Sequence, residues 1–174
     1  MEKIVVSKLD KNVEQAMSAK GVKLKKNLTP AKVKKDIIKY LDENTVCHLA
    51  TSYNNNPRVT PIEFRNKGLR IYIFSEGGVK FRNLKQNSKV SVSVASRYDR
   101  KKDYFSSRGL QMWGKASVYT RETNIKEFRQ CVKLMGINEK SLPAKYPFKV
   151  IAIDLDKIRY TDARHGYWFV TWSK

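Results

Sequence analysis

Metal-binding and nucleophilic residues are scarce in this 174-residue sequence. Its two cysteines, Cys47 and Cys131, are far apart and form no CxxC pair, so the sequence predicts no metal site. Its two histidines, His48 and His165, belong to no HExxH motif, and we interpret His48 as a strand residue rather than a catalytic base. The GxSxG, Walker and GxGxxG motifs are missing too. A protein without its own acid–base groups can still be an enzyme if a cofactor carries the chemistry.

Long apolar runs are missing as well. No run approaches the roughly 18 residues that a membrane-spanning helix needs, and the first residues, MEKIVVSKLDK, lack the apolar core of a signal peptide. Two cysteines without a pairing pattern are typical of a reducing compartment. We therefore expect a cytoplasmic protein with no membrane partner.

Acidic residues are few. The sequence has 16 acidic and 36 basic residues, and its net charge is +20. Such an excess is typical of nucleic-acid binders. However, 25 of the basic residues are lysines, they are scattered over most of the chain, and no arginine–aromatic cluster is evident. We interpret the charge as a solvated surface without a specific nucleic-acid partner. A non-catalytic basic small-barrel module that binds nucleic acid is the alternative from another functional class.

The hydrophobic periodicity predicts a mainly β protein, a β-barrel with flanking helices. Residues 1–28 are weakly periodic and form a basic extension with room for one short helix ending at Gly21. Residues 29–174 form one domain, which begins with a helix capped by Thr29. Six to seven mostly antiparallel strands, neighbours in sequence, favour a barrel. The strands are expected in TVCHLATSY, RVTPIEFR, LRIYIFS, SKVSVSVAS, GLQMWGKASVYT, FKVIAIDLDKIRYTD and YWFVTW.

Three details of these segments carry structural predictions. LRIYIFS is apolar on both faces, so one face belongs to the barrel, and we expect a second copy of the chain to cover the other. Gly114 interrupts the strand GLQMWGKASVYT and indicates a bend or a bulge. The segment from Arg97 to Arg108 is polar and is expected to be an exposed loop.

The piece SEGGVKFRNLKQN separates two strands and raises a functional question. Gly77, Gly78 and Lys80 lie at the start of a short helical pattern. They form either a plain turn with a solvated lysine or the start of an anion site, because glycines can direct amides inward and a helix start is positive. The stretch by itself leaves both interpretations open.

The order of several motifs along the chain indicates a family more specifically than this single stretch does. HLATSYNNNPRVTPIEF, IYIFSEGGVKFRNLKQNSKVSVSV and GLQMWGKASVY follow one another between about residues 30 and 120. In this order and spacing they resemble the pyridoxamine 5'-phosphate oxidase-like, FMN-binding split-barrel family. The resemblance implies a split barrel that forms a homodimer, with two FMN molecules in grooves at the subunit interface.

The resemblance also implies site residues by their positions. Arg58, Ser75 and Lys80 would bind the flavin phosphate, which agrees with the donors that a phosphate dianion prefers. We call these three residues, together with Gly77 and Gly78, the phosphate cradle. The other implied contacts are Val59, Thr60, Pro61 and Phe74 along the ring and ribityl chain, Gln111 and Trp113 on the cofactor side of the partner's site, and Tyr167 and Trp168 as a cover of the ring.

One position departs from the family pattern. In true pyridoxamine phosphate oxidases the strand with the phosphate-binding arginine continues to a substrate-binding lysine, and here that position is Glu63. A carboxylate repels a substrate phosphate, so we do not expect vitamin B6 oxidation. We expect an FMN-dependent oxidoreductase with a small or nicotinamide-type substrate. Within the same fold, binding of a deazaflavin, or of haem through His48 or His165, is the alternative.

Overall fold

The computed structural model describes residues 1–144 and 146–174 and has a mainly β fold. In chain order these residues form the strands β1 (Lys3–Val6), β2 (Val46–Tyr53), β3 (Asn56–Glu63), β4 (Arg65–Lys67), β5 (Arg70–Ser75), β6 (Lys89–Ala95), β7 (Arg108–Tyr119), β8 (Lys149–Asp162) and β9 (Tyr167–Ser173), the helices α1 (Lys11–Ala19), α2 (Pro30–Asp42), α3 (Val79–Gln86) and α4 (Ile125–Leu134), and one-turn 3-10 helices at Tyr104–Ser106, Glu139–Ser141 and Ala163–His165. Seven strands are the expected ones. The strands β1 and β4 are additional, because four and three residues are too few for a periodic signal. Across the described residues, no helix has the length and apolar character to cross a membrane.

The strands pair antiparallel in the order β1-β9-β8-β7-β6-β2-β3. The 14-residue strand β8 pairs with β7 over most of its length. On its other edge, β8 pairs with β5 through its first half and with β9 through its second half. The sheet therefore divides along β8, and the predicted split barrel is confirmed.

A tight hairpin sets the position of β3. Asn54 and Asn55 have φ values of 49° and 58°, the left-handed conformation that two-residue hairpin turns need and that asparagine tolerates. The turn pairs Tyr53 with Asn56 and carries the register to Val46 opposite Glu63. The turn joins the two expected strands, TVCHLATSY and RVTPIEFR, as a hairpin.

The strand β7 bends where the sequence predicted it. The register between β7 and β8 shifts between Trp113 and Gly114. A Cβ atom on Gly114 would lie 2.2 Å from the carbonyl oxygen of Asp154. Two backbones approach closely here, which explains why a glycine occupies this position of the strand.

The main core lies between the curved sheet and helix α2. Thr29 caps this helix as predicted, because its Oγ1 accepts the N–H group of Lys32 at 3.3 Å. The sequence predicts an apolar stripe of Val33, Ile37, Ile38 and Leu41 on this helix. Ile38 is half-buried, whereas Val33, Ile37 and Leu41 are fully buried. They pack against alternate residues of the central strands.

The second apolar face of β5 is covered from within the chain. Ile71 and Ile73 face the main core, whereas Tyr72 is buried in a second cluster with Phe128 and Val132 of helix α4. The expectation that a second copy must cover this face was therefore wrong. Periodicity identifies a face that needs a cover, but a helix 50 residues further along the chain is as good a cover as another subunit.

Residues 1–28 pack on the barrel. The strand β1 extends the sheet by pairing with β9. Met17 of helix α1 and Val22 are buried against Phe105 and Ala163. Phe105 belongs to the polar segment that we expected to be exposed, and its burial corrects that expectation, because the N-terminal residues supply its partners.

Candidate functional site

A groove separates β3 from the corner between β5 and α3. Its volume is about 620 Å³, and it is lined by Ile62, Phe74, Ser75, Glu76, Gly77 and Tyr146. The groove exists because β3 ends the pairing order of the sheet, while β5 pairs with β8 and β4 instead. Two predicted site residues, Phe74 and Ser75, lie in its wall.

The hairpin register places alternate residues of β3 on the inner face of the sheet, and one of them, Ile62, lines the groove. Arg58 and Thr60 pair with Thr51 and Leu49, which are both buried. Paired residues of a ladder point to the same face, so Arg58, Thr60 and Ile62 lie on the inner face of β3. The Oγ1 atom of Thr60 is buried and has no hydrogen-bond partner among the described residues.

Helix α3 begins beside the groove without a side-chain cap. Its N-cap, Gly78, has φ 105° and ψ 177°, and no side chain accepts a hydrogen bond from the first turn. A residue with a Cβ atom would be strained in this conformation. The helix begins at Val79, within the short helical pattern that the sequence indicated. The N–H group of Phe81 donates to the carbonyl oxygen of Gly78 at 3.1 Å, so the N–H groups of Val79 and Lys80 are the first-turn donors left for an anion.

Lys80 is a buried cation in this first turn. Its residue is 9% exposed, and its Nζ atom donates to the carbonyl oxygen of Gly77 at 2.6 Å. Burial, and to a smaller extent the charge of Arg58, lowers the pKa of Lys80. Neither cation forms an ion pair with a described carboxylate. Lys80 is thus a buried cation at the start of α3 without a carboxylate partner among the described residues, and the charge of Arg58 on β3 acts on it.

Two amide side chains hold α3 against β2. The Nδ2 atom of Asn83 donates to Oγ1 of Thr51 at 3.1 Å, and Nδ2 of Asn87 donates to the carbonyl oxygen of Ser52 at 3.2 Å. Lys80, Asn83 and Asn87 share one face of the helix because they are three or four residues apart. The two hydrogen bonds therefore fix the position of Lys80. The sequence feature that could have predicted this arrangement is the presence of polar residues on the buried face of a short helix.

Aromatic residues form the far wall of the groove. Phe74 stacks on Phe148 with ring centroids 5.0 Å apart and meets Phe128 edge-on at 6.0 Å. The hydroxyl group of Tyr146 donates to Oε2 of Glu76 at 3.0 Å. Sequence reasoning missed Tyr146 and Glu76 as groove residues. They are 70 positions apart, and no local pattern links them.

A third cation lies next to the phosphate cradle. Lys149, the first residue of β8, pairs with Ser75 in the ladder. Its Nζ atom lies 5.0 Å from the ring centroid of Phe81, and Nζ of Lys80 lies 5.0 Å from the same centroid. Lys149 was not predicted either, because only the β5–β8 register brings it to this end of the groove.

The other predicted strand residues lie on the opposite, outer face of the sheet. One cross-strand row there contains Pro61, His48, Ser93, Gln111 and Arg159, and the next row contains Val59, Ala50, Ser91, Trp113 and Lys157. A depression of about 200 Å³ lies between the two rows. Val59 is 61% and Trp113 37% exposed. The structure therefore groups these predicted residues with one another, across β3 from the phosphate cradle.

The C-terminal aromatic residues join neither group. Tyr167 is 1% exposed and donates its hydroxyl hydrogen to Asp36, so it cannot cover a ring at the surface of the chain. That expectation is corrected, because the alternation of β9 turns Tyr167 inward. Trp168 packs against the N-terminal segment. The Nδ1 atom of His165 lies 2.8 Å from Oδ1 of the buried Asp162.

The family model for pyridoxamine 5'-phosphate oxidase matches residues 33–162. The match covers more than half of the chain, and the chain therefore belongs to this family. Among curated proteins, none matches the chain.

Solved structures share the fold. The haem storage protein HutZ from Vibrio cholerae is similar with a TM-score of 0.60 and 19% identity, over 76% of this chain and 97% of that one. An FAD-binding protein from Mesorhizobium loti is similar with a TM-score of 0.54 and 17% identity, over 80% of this chain and 94% of that one. General stress protein 26 from Bacillus anthracis is similar with a TM-score of 0.53 and 21% identity, over 74% of this chain and 93% of that one.

Proposed function

We propose that this protein binds FMN in the groove between β3 and the β5–α3 corner and is a flavin-dependent oxidoreductase. The observation that carries the proposal is the buried cation Lys80, which has no carboxylate partner among the described residues and lies at the start of α3, where the charge of Arg58 also acts on it. A phosphate monoester carries a charge of about −1.5 to −2 and favours arginine, lysine and helix-start N–H donors. Membership of the pyridoxamine 5'-phosphate oxidase family supports the same assignment.

The groove residues fit a flavin phosphate and its polyhydroxyl chain. A buried hydroxyl group without a partner is unusual in a folded protein. Among the described residues the Oγ1 atom of Thr60 is one, on the inner face of β3 two positions from the groove residue Ile62. A ligand hydroxyl would satisfy it. The one carboxylate among the described lining residues, Glu76, already accepts a hydrogen bond from Tyr146.

Different residues of the groove would bind different parts of FMN. Arg58 and Lys80 bind and orient the phosphate, with Ser75 as a hydroxyl donor. The backbone of β3 from Val59 to Pro61 supplies further polar groups, because an edge strand leaves every second N–H and C=O group unpaired. Phe74, held by its aromatic neighbours, excludes water from the far wall. When bound, the flavin supplies hydride and electron transfer.

The substrate proposal depends on Glu63. Its Oε1 atom forms an ion pair with Nη2 of Arg65 at 2.9 Å, and its side chain is exposed. We do not propose vitamin B6 oxidation, because a carboxylate at this position repels a phosphorylated substrate. A small or nicotinamide-type molecule is the substrate that we propose.

The two cysteines support a cytoplasmic setting for this activity. Cys47 and Cys131 are both buried free thiols, and burial raises the pKa of each thiol to about 12. Free thiols without a disulfide are typical of a reducing compartment.

The absorption spectrum of the purified protein tests the cofactor. We expect the two visible bands of oxidised flavin, and release of FMN on denaturation. If the protein is purified without a cofactor, added FMN should bind at one molecule per chain, with quenching of its fluorescence. HutZ is named a haem storage protein, and in this chain His48 is an exposed histidine of the outer face. A haem Soret band, or an apo-protein that takes up no FMN, would contradict the proposal.

We also propose a homodimer whose interface is the outer face of the sheet. Val59 and Trp113 expose apolar surface there, and exposed apolar patches mark interaction sites. Light scattering at micromolar concentration should therefore give twice the mass of one chain. Trp113→Asp should shift the mass toward the monomer, whereas Tyr53→Asp, at the hairpin tip, should not. A parent protein that is monomeric would contradict this proposal.

A further inference from the structure

A second cavity lies where strand β7 leads into helix α4. Its volume is about 330 Å³, and its lining residues include Thr120, Arg121, Glu122, Phe128, Tyr146 and Phe148. We call it the Arg121 pocket. Its described lining residues include none of the flavin contacts that the family resemblance implies, and only Tyr146 also lines the groove.

The Arg121 pocket is separate from both of the surfaces described above. Phe74 lines the groove and Phe148 lines the pocket, and their stacked rings lie between the two cavities. Val59 and Trp113, which mark the proposed dimer interface, line a different depression. A ligand of the Arg121 pocket would therefore occupy neither the flavin groove nor the exposed patch on the outer face.

Arg121 supplies a positive charge without a carboxylate partner. Its guanidinium carbon lies 5.3 Å from the ring centroid of Phe128, and its Nε atom is buried without a hydrogen-bond partner in the described chain. Arg70 and Arg108 also have a buried Nε atom, but carboxylate oxygens lie 3.6 and 2.6 Å from it. Arg121 forms no ion pair with the described residues. A half-buried guanidinium group that lacks an anion is suited to bind one.

Glu122 supplies a negative charge at the exposed rim of the same pocket. Its carboxylate pairs neither with Arg121 nor with another cation of the described chain. One cavity thus contains a guanidinium group and a carboxylate that do not satisfy each other. A ligand with both a negative and a positive group would match this pair, whereas a simple anion would be repelled by Glu122.

A hydrogen-bonded turn fixes the backbone of both charged residues. The N–H group of Thr120 donates to Oγ1 of Thr123 at 2.8 Å, and the N–H group of Thr123 donates to Oγ1 of Thr120 at 3.2 Å. The next residue, Asn124, caps helix α4 with its side chain. Arg121 and Glu122 therefore lie between two anchored positions, and this order in the free protein reduces the entropy lost on binding a ligand.

We propose that the Arg121 pocket binds a free α-amino acid with an aromatic side chain. The carboxylate of the ligand accepts hydrogen bonds from Arg121, its ammonium group pairs with Glu122, and its ring packs against Phe128 and Phe148. A volume of about 330 Å³ suits a ligand of this size, at the small end of ligand sites. This site goes beyond the flavin proposal and does not depend on it.

The test uses the full-length protein and three matched probes: L-phenylalanine, 3-phenylpropanoate, which lacks the ammonium group, and 2-phenylethylamine, which lacks the carboxylate. Each is titrated by ligand-observed NMR at physiological ionic strength. The net charge of +20 by itself would favour 3-phenylpropanoate, the probe with a net negative charge. We expect L-phenylalanine to bind about two- to fivefold more tightly than 3-phenylpropanoate and at least about tenfold more tightly than 2-phenylethylamine. Tightest binding of 3-phenylpropanoate, or equal affinities of the three probes, would overturn the proposal.

Variants locate the binding site. Arg121→Gln should remove the preference for L-phenylalanine over 2-phenylethylamine. Arg129→Gln should keep it, because Arg129 is a surface arginine of α4 paired with Glu139 and its loss changes the net charge equally. Glu122→Gln should remove the preference for L-phenylalanine over 3-phenylpropanoate. Parent-like preferences in both Arg121→Gln and Glu122→Gln would overturn the proposal.

Two further measurements keep the test decisive if Arg121→Gln unfolds. Arg121→Lys retains the charge but not the planar fork, and should leave a smaller preference for L-phenylalanine over 2-phenylethylamine; a preference as large as the parent's would overturn the proposal. Saturating FMN should leave L-phenylalanine bound to the parent protein. If FMN displaced L-phenylalanine, the probe would occupy the flavin groove and the pocket proposal would fail. A protein that took up no FMN would contradict the flavin proposal alone, because the three-probe comparison needs no flavin.

Discussion

Lys80→Ala is expected to weaken FMN binding at least about tenfold. A hydrogen bond between a charged group and phosphate contributes roughly 1.5–3 kcal/mol, which corresponds to about tenfold to a few hundredfold in affinity. Arg58→Ala should weaken binding as much or more, because a guanidinium group can bind two phosphate oxygens. Titration of FMN by flavin fluorescence measures both effects.

Riboflavin is the matched ligand control for this prediction. It lacks the phosphate, so it should bind the parent poorly and should respond little to either substitution. A variant that had lost its fold would lose both ligands alike. Lys85→Ala is the matched variant, because Lys85 is an exposed lysine on the same helix, and it should bind FMN like the parent. If Lys80→Ala also bound FMN like the parent, Gly77 and Gly78 would form only a turn.

The pH dependence of FMN binding gives an independent check on Lys80. Burial and the charge of Arg58 lower its pKa in the free protein, and a bound phosphate dianion would raise that pKa again. Binding therefore takes up a proton at a pH above the lowered pKa, and the affinity of the parent should fall as the pH rises through it. This decline should be absent in Lys80→Ala.

Gly114→Ala is expected to produce the largest loss of stability among single methyl additions in the sheet. The new Cβ atom would lie 2.2 Å from the carbonyl oxygen of Asp154 and 3.0 Å from Cα of Leu155. Both contacts are with backbone in the β7–β8 ladder, so relief requires the two longest strands to separate. We expect a loss of about 3 kcal/mol or more in the free energy of unfolding, and a fall in Tm of roughly 6–12 °C.

Gly77→Ala is the control for this substitution, measured by thermal unfolding without flavin. A Cβ atom on Gly77 meets nothing within 4 Å, and its φ is not positive. Its Tm should therefore stay within about 2 °C of the parent value. A Gly114→Ala protein with the parent's Tm would show that the strands do not approach each other at this bulge.

Much of the site was predictable because its parts are close together in the sequence. Arg58 lies on a strand that follows a hairpin turn, and Asn54 and Asn55 favour that turn. The glycines before Lys80 indicate a helix start. The same local reasoning did not predict the residues at the far wall of the groove. Tyr146 and Lys149 reach the groove only through the fold of β8 against β5.

The sequence also did not show that the predicted site residues are divided between the two faces of the sheet. Arg58 and Thr60 face inward while Val59 and Pro61 face outward, as the alternation of any strand requires. Which of these faces borders the groove depends on the elements that pack against β3. The resemblance to the family named both sets as cofactor contacts, and a dimer is the arrangement that we propose to bring them to one flavin.

The sequence by itself determined the local elements of this protein: the antiparallel strands, the capped helix α2, the asparagine turn and the glycine at the bulge. Each depends on residues a few positions apart, whose sterics and periodicity act before the chain is folded. Only the tertiary structure decided that α4 covers β5, that β1 joins β9, and that Lys149 lies beside the phosphate cradle. These contacts depend on register and packing between distant segments, and many different pairings would have buried the same apolar residues equally well.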